Sequence, residues 1–174
     1  MAPQTEQVII ALGANLDSPH GSPVQTLPVV VERLRGLSPS TFSASSLFLT
    51  QAQDCPPGTP DFVNGVVRLE LDANINAEDL LRELQGLEAE FGRHRSGRQN
   101  EARPLDLDLI SFGSRQQASA DLILPHPRAH LRRFVLQPLQ EIAPDLILPG
   151  QSKTITQLLQ DVSATPPCTR IDQI

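Results

Sequence analysis

Leucines at positions 105, 107 and 109 alternate with aspartates at 106 and 108 in the stretch Arg103-Pro104-Leu105-Asp106-Leu107-Asp108-Leu109-Ile110. Alternation with period two marks a β-strand with one buried face, because successive side chains leave a pleated strand on opposite sides. Both carboxylates therefore point the same way, their backbones about 7 Å apart at roughly 3.3 Å of rise per residue. Such a pair suits a hard cation such as Mg²⁺, which takes oxygen ligands. Upstream lies Arg93-His94-Arg95-Ser96-Gly97-Arg98, and Arg103 leads straight into the strand. Carboxylates for metal beside guanidiniums for phosphate are the equipment of phosphoryl transfer. Alone, an Asp-x-Asp is more often the solvated face of a strand. The arginine-rich approach shifts the balance.

The remainder of the composition narrows the class. A chain of 174 residues fits one domain, with a core spanning about residues 8 to 162. Its aromatics are 6 Phe with no Trp or Tyr, so the core must be mostly Leu, Val and Ile. The net charge of -6 argues against a nucleic-acid or membrane-surface partner, which would call for a basic footprint. Lys153 is the single lysine and Gly13-Ala14-Asn15 is no Walker motif, so a P-loop is excluded. Cys55 and Cys168 have no metal-type spacing and read as free thiols of a reducing compartment. Neither a signal-like N-terminus nor an apolar run near the ~20 residues of a membrane span is visible. The expectation is a soluble, cytoplasmic monomer acting on small molecules.

Along the chain, Val8 to Gly13 reads as a buried strand followed by a turn. Leu27, Val30, Val31, Leu34 and Leu37 form a helical stripe, and Pro28 predicts a start close to Thr26 or a kink there. Thr41 to Thr50 reads as one strand with Phe42, Ala44, Ser46 and Phe48 in register, antiparallel to a long strand from Phe62 to Leu71 across a loop. Asn76 caps a helix with stripe Leu80, Leu81, Leu84, Leu87 and Phe91, ended by Gly92. Residues 111 to 124 suggest a short hairpin. A helix carrying Leu131, Phe134, Val135 and Leu139 should end or kink at Pro138, and Ile155, Leu158, Leu159 and Val162 mark a last helix before a loose tail. The class is α+β, with a mostly antiparallel sheet flanked by helices.

Two smaller constellations carry chemistry. His126 and His130 are four apart, but Pro127 breaks the helical turn between them and no third ligand of His or Cys type is near, which disfavours zinc. His126 with Arg132 reads better as a second phosphate clamp, against the plainer alternative of two surface residues. Asn64 is unusual inside a strand of Val, Phe and Gly: it is either outward-facing or a buried amide that reads a ligand's polar edge, with Phe62 on the same face as a flat neighbour.

Taken together, Gly13-Ala14-Asn15-Leu16, Pro60-Asp61-Phe62-Val63-Asn64, Arg93-x-Arg95 leading to Arg103-Pro104-Leu105-Asp106-Leu107-Asp108, and Pro125-His126-Pro127-Arg128 leading to Arg132-Arg133-Phe134-Val135-Leu136-Gln137-Pro138-Leu139 closely resemble the 6-hydroxymethyl-7,8-dihydropterin pyrophosphokinases of folate biosynthesis. The resemblance implies a ferredoxin-like fold and transfer of pyrophosphate from ATP to the pterin hydroxymethyl group, releasing AMP. It implies two Mg²⁺ ions on Asp106 and Asp108, and catalytic roles for Arg93 and Arg103. It further implies ATP contacts from Gln85, Glu88, Arg95, His126 and Arg132, and pterin contacts from Thr50, Phe62, Asn64 and Phe134.

The chain departs from the family in two places. Some members place Trp in the arginine loop where this chain has Asn100, and the pterin loop often reads Thr-x-Pro-x-Gly where this chain has Thr50-Gln51-Ala52-Gln53-Asp54. Two other classes share some of these features: nucleotidyltransferases, which also set Asp-x-Asp on a strand but release pyrophosphate, and ferredoxin-like RNA-binding modules, which need basic charge and exposed aromatics on the sheet.

Overall fold

The computed structural model describes residues 4–38 and 40–172. In chain order its elements are β1 (Thr5–Ala14), α1 (Pro23–Arg35), β2 (Phe42–Ala44), β3 (Phe48–Thr50), β4 (Phe62–Asp72), α2 (Ala77–Glu90), β5 (Asp106–Phe112), β6 (Gln117–Ala118), β7 (Ile123–Leu124), a 3-10 turn at Ala129–Leu131, α3 (Arg133–Ile142), α4 (Ile155–Asp161) and β8 (Cys168–Arg170). The main sheet has the order β5-β1-β4-β3-β8, with β2 also paired to β4, and every pairing is antiparallel. β6 and β7 form the short hairpin expected after β5. This is the ferredoxin-like α+β arrangement that the resemblance implies.

β1 is central and buried on both faces. Val8, Ile10, Leu12 and Ala14 pack beneath α1 and α2 with Leu27, Val30, Leu34, Leu80 and Leu84. Ile9 packs on the opposite face with Val135, Leu136 and Leu139 of α3 and Ile155 of α4. β5 divides its residues likewise: Leu107 and Leu109 join the first core and Ile110 the second. The face that carries Asp106 and Asp108 is therefore not simply solvated; farther along the strand α3 and α4 cover it. Ile10 pairs with Leu109 and Ile9 with Ser111, which leaves Ile110 as the extra residue of a β-bulge.

Proline placement differs from the sequence expectation. α1 begins at Pro23 and contains Pro28, and α3 continues through Pro138 to Ile142. Each internal proline is the sixth residue of its helix, so the carbonyl it deprives of a donor is that of Val24 or Phe134, in the first turn and not fully buried. A proline so early removes one bond near a helix end rather than breaking the interior ladder. Leu131 also falls outside the α3 stripe. It lies on the 3-10 turn, 62% exposed, because Arg132 between the turn and α3 is extended at φ -107 and ψ 110 and resets the helical phase.

The strand expected over 41 to 50 is two strands. At the break the backbone N–H of Val66 donates to Ser45 Oγ at 3.0 Å, and the Ser45 N–H donates to the Val66 carbonyl at 2.9 Å. Phe42 and Ala44 oppose Leu69 and Val67 on the α1/α2 face, whereas Phe48 and Thr50 oppose Asn64 and Phe62 on the other. The break thus turns the even-numbered residues from one face to the other. β8, after α4, is a strand the sequence does not announce; of the last few residues, expected as a loose tail, 173–174 lie outside the described residues.

Leu139→Ala should lower stability by about 2–5 kcal/mol through cavity formation, whereas Leu131→Ala should stay within about 0.5 kcal/mol. Urea denaturation midpoints would check the contrast, and equal costs would contradict the phase break.

Candidate active site

The site is laid out by strand register. Gly13 of β1 stands opposite Asp106 of β5 and Asn64 of β4, and Asn64 in turn opposes Phe48 of β3. Directly opposed residues share a face, so Asp106, Gly13 and Asn64 form one line across the sheet, with the outer two backbones about 10 Å apart at roughly 4.8 Å per strand. A Cβ on Gly13 would come within 3.0 Å of Asn64 Oδ1. The missing side chain leaves the floor between carboxylate and amide open.

Over that floor lies a cavity of about 260 Å³, lined by Thr50, Phe62, Asn64 and Phe134 together with Arg103, Asp106, Asp108 and Arg132. Asn64 is buried and its Nδ2 donates to Thr50 Oγ1 at 2.6 Å. An amide has two N–H donors and an acceptor oxygen, so this one bond leaves capacity for a guest. The Arg103 guanidinium lies 5.1 Å from the centre of the Phe62 ring and that of Arg132 lies 5.4 Å from Phe134.

A second cavity of about 440 Å³ adjoins it, bordered by Gln85, Glu88, Arg93, Arg95 and His126, and again by Arg103, Asp106, Asp108 and Arg132. Glu88, only 2% exposed, organises its arginines. Its Oε1 accepts from the Leu107 N–H at 2.7 Å and from Arg93 Nη1 at 2.7 Å, while Oε2 accepts from Arg95 at 2.9 Å. Burial raises the Glu88 carboxyl above the usual range, against the Leu107 N–H and Arg93, which favour its charge. Arg93 also donates to Asp106 Oδ1, and Arg103 donates to Oδ2 at 2.7 Å. Burial works to raise Asp106, but Arg103 and Arg93 outweigh it and hold this carboxyl below the ordinary value.

Asp108 is held more loosely, with Arg132 Nη1 at 3.8 Å and His126 Nε2 at 4.0 Å from its Oδ2. Burial, reinforced by the charge of Asp106, pushes its carboxyl up to about 6. Burial together with Arg132 and Arg128 pushes His126 down to about 4, so at pH 7 the ring is neutral. Its Nδ1 accepts from the Arg128 N–H at 3.2 Å, which puts the single ring proton on Nε2, facing Asp108. Every site residue singled out in the sequence borders one cavity or the other.

The chain is similar to known proteins in the same sense. Residues 9–144 match the family model of 7,8-dihydro-6-hydroxymethylpterin-pyrophosphokinase (HPPK). The chain belongs to the HPPK family. Curated relatives called 2-amino-4-hydroxy-6-hydroxymethyldihydropteridine pyrophosphokinase include that of Haemophilus influenzae, 38% identical over 87% of this chain and 89% of its own length. That of Pseudomonas aeruginosa is 40% identical over 83% and 85%, and that of Synechocystis 45% identical over 63% and 54%. The chain spans about half the length of the Synechocystis protein. Among solved structures, wild-type Plasmodium falciparum HPPK-DHPS with pteroate superposes with a TM-score of 0.64 at 12% identity, over 92% of this chain and 43% of that one, a likeness of fold. The family's reaction transfers pyrophosphate from ATP to hydroxymethyldihydropterin in folate biosynthesis.

Three features of this HPPK-family site escaped the sequence reading. Asn15, 5% exposed, is a bracket: its Oδ1 accepts from the Arg103 N–H at 2.8 Å, its own N–H donates to the Arg103 carbonyl at 3.0 Å, and its Nδ2 donates to the Pro60 carbonyl at 3.0 Å. In sequence it looks like turn chemistry at a strand exit, and nothing local tells a bracket from a turn. Asn100 ties the arginine loop to the loop after β3, its Nδ2 donating to the Asp54 carbonyl at 2.7 Å. Both residues have positive φ, 57° and 53°, which Asn and Asp tolerate best among residues with a Cβ. Arg128, the third, borders both cavities.

Glu88→Ala should lower stability by about 3–5 kcal/mol, because it strands a half-buried guanidinium and an inward N–H. Arg95→Ala, at a 61% exposed side chain, should cost no more than about 1 kcal/mol. Thermal or urea denaturation of the two variants would check this, and a mild Glu88 variant would show that the carboxylate does not organise the loop.

Proposed function

We propose that this chain carries out its family's reaction as one Mg²⁺-dependent pyrophosphokinase domain, a cytoplasmic monomer spanning residues 1–174, with ATP in the second cavity, hydroxymethyldihydropterin in the first, and AMP released. The observation that carries the reading is the wall the cavities share: Arg103, Asp106, Asp108 and Arg132 border both, so two bound molecules meet there.

The residues present fit the cation. Two carboxylates leave most positions of an octahedral ion to water and phosphate oxygens, as Mg²⁺ prefers, and the repulsion that raises Asp108 beside Asp106 is relieved by positive charge between them. When bound, two Mg²⁺ ions on Asp106 and Asp108 would screen the polyphosphate and make the pterin hydroxyl more acidic.

The remaining work falls to this chain's own groups. Arg93 and Arg103, anchored on Glu88 and Asp106, stabilise negative charge gathering on the bridging and leaving oxygens. Neutral His126 donates from Nε2 to a phosphate oxygen, and Arg132 beside it supplies charge. Arg95, Gln85 and Glu88 border the nucleotide end. Asn64, steadied by Thr50, reads the polar edge of the pterin while Phe62 and Phe134 supply flat walls. With the amide at one end of the Asp106–Gly13–Asn64 line and the carboxylate at the other, a pterin bound by its polar edge directs its hydroxymethyl group toward the shared wall. The loops joined by Asn100 and Asp54 border the same space, where their closure over the bound substrates would exclude water, the competing acceptor.

Asp108→Ala should reduce AMP release by about 1,000-fold or more, on the order of 4 kcal/mol in barrier, with the fold intact by circular dichroism. Turnover within about threefold of the parent at saturating Mg²⁺, well under 1 kcal/mol, would remove the metal role. Pyrophosphate release without AMP would instead indicate a nucleotidyltransferase.

Asn64→Ala should weaken pterin binding by about 1–3 kcal/mol, since ligand donors and acceptors lose their partner, with ATP affinity essentially unchanged. Calorimetric titration with each ligand would decide; normal pterin binding with lost ATP binding would show the two subsites reversed.

A further inference from the structure

β8 lies beyond the residues 9–144 matched by the family, and it borders neither cavity. Its contacts nevertheless fall on the supports of both walls of the first cavity. On one side Cys168, Thr169 and Arg170 pair with Thr50, Leu49 and Phe48, and the Ile171 N–H donates to the Leu47 carbonyl at 2.8 Å. Thr50 is the residue that holds the Asn64 amide. On the other side Gln137, one turn after Phe134 on α3, donates from Nε2 to the Cys168 carbonyl at 3.1 Å. The Arg170 guanidinium stands 3.8 Å from the carboxylate of Glu141, also on α3, and Glu141 accepts from the Ser46 N–H at 2.7 Å.

β3 is only three residues long and pairs on its inner side with Phe62, Val63 and Asn64. Without β8 it would be a three-residue edge strand opening into the loop of residues 51–61, and edges of that length are held weakly. Of the groups assigned to ATP, Gln85 and Glu88 lie on α2, Arg95 on the arginine loop, and His126 and Arg132 on the segment leading into α3. Among the described residues none of these has a hydrogen bond or ion pair to β8.

We propose that β8 is a positioning element for the pterin subsite: it cross-ties β3 to α3 and so sets the spacing between the Thr50–Asn64 amide and the Phe134 ring. This rests on the assignment of the pterin to the first cavity. Gln137 is the positioning residue whose hydrogen bond joins α3 to the β8 backbone, beside the longer Arg170–Glu141 ion pair. Among the described residues its buried Oε1 has no hydrogen-bond partner, so replacing the amide by an apolar group of similar size gives up one bond and relieves one unsatisfied acceptor. A change at this residue therefore reads position rather than stability.

The test uses the full chain with Gln137→Leu and, separately, Ile171→Pro, which deletes the donor to Leu47. For Gln137→Leu the expected result is a KM for hydroxymethyldihydropterin raised about fivefold, the equivalent of one neutral hydrogen bond, with the KM for ATP within about twofold and the melting temperature close to the parent's. Ile171→Pro should show the same split, larger. A pterin KM at the parent's value in folded Gln137→Leu overturns the proposal, and so does a parallel rise in both KM values, which would mean general loosening. Should Ile171→Pro fail to fold, Gln137→Leu alone decides. A parent chain that turns over ATP but binds no pterin would instead overturn the subsite assignment beneath the proposal.

Discussion

The pairing register of β1 between β4 and β5 is the constraint on which the site depends. It sets Gly13 between Asp106 and Asn64, and it sets Ala11 opposite Asp108. A slip of one residue on either side would turn the carboxylates or the amide into the α1/α2 core. The register is protected by the partners of β1, since a slip would carry Asn64, Arg68 and Glu70 of β4, or Asp106 and Asp108 of β5, into a core filled by Val63, Val67, Leu69, Leu71, Leu107 and Leu109. The fold's most committed strand is also the strand that supplies the site with empty space.

Charge is balanced around that line by position rather than by number. Glu88 holds Arg93 and Arg95 at the end of α2, and Asp106 takes Arg93 and Arg103. Asp106 is the well-compensated carboxylate and Asp108 the poorly compensated one: burial works to raise both, but guanidiniums hold the first down while the second rises to about 6. Adjacent carboxylates whose environments push them apart are a common arrangement at sites that handle charge. His126, kept neutral by burial and two arginines, adds a hydrogen-bond donor without adding to the cationic load.

Much of this was legible in the residues because the relevant signals are local. The Leu/Asp alternation over 105 to 109 identifies β5, the Asn76 cap and its stripe identify α2, and the two phenylalanines and Asn64 carry their chemistry in their side chains. The prolines misplaced the helix limits, since a sixth-position proline reads in sequence as an end or a kink, and whether the helix runs through it depends on whether the carbonyl four residues back reaches solvent. Asn15 was opaque for another reason: its partners, Arg103 and Pro60, lie far along the chain, and only closure of the sheet brings them to it.

Sequence by itself determined which residues are proposed to carry the chemistry and which strand presents the two carboxylates, because side-chain type and the two-residue period are properties of the chain alone. Tertiary structure decided which face the second half of the ligand-binding wall looks toward. From Phe42 to Thr50 the even-numbered residues share one register in sequence, and an unbroken strand would bury Thr50 with Phe42 against α1 and α2. Pairing with β4 interrupts that strand at Ser45, whose hydroxyl takes the Val66 N–H, and β3 resumes in the opposite phase with Thr50 beneath Asn64. A period of two states that alternate residues share a face; only the partner strand states which face it is.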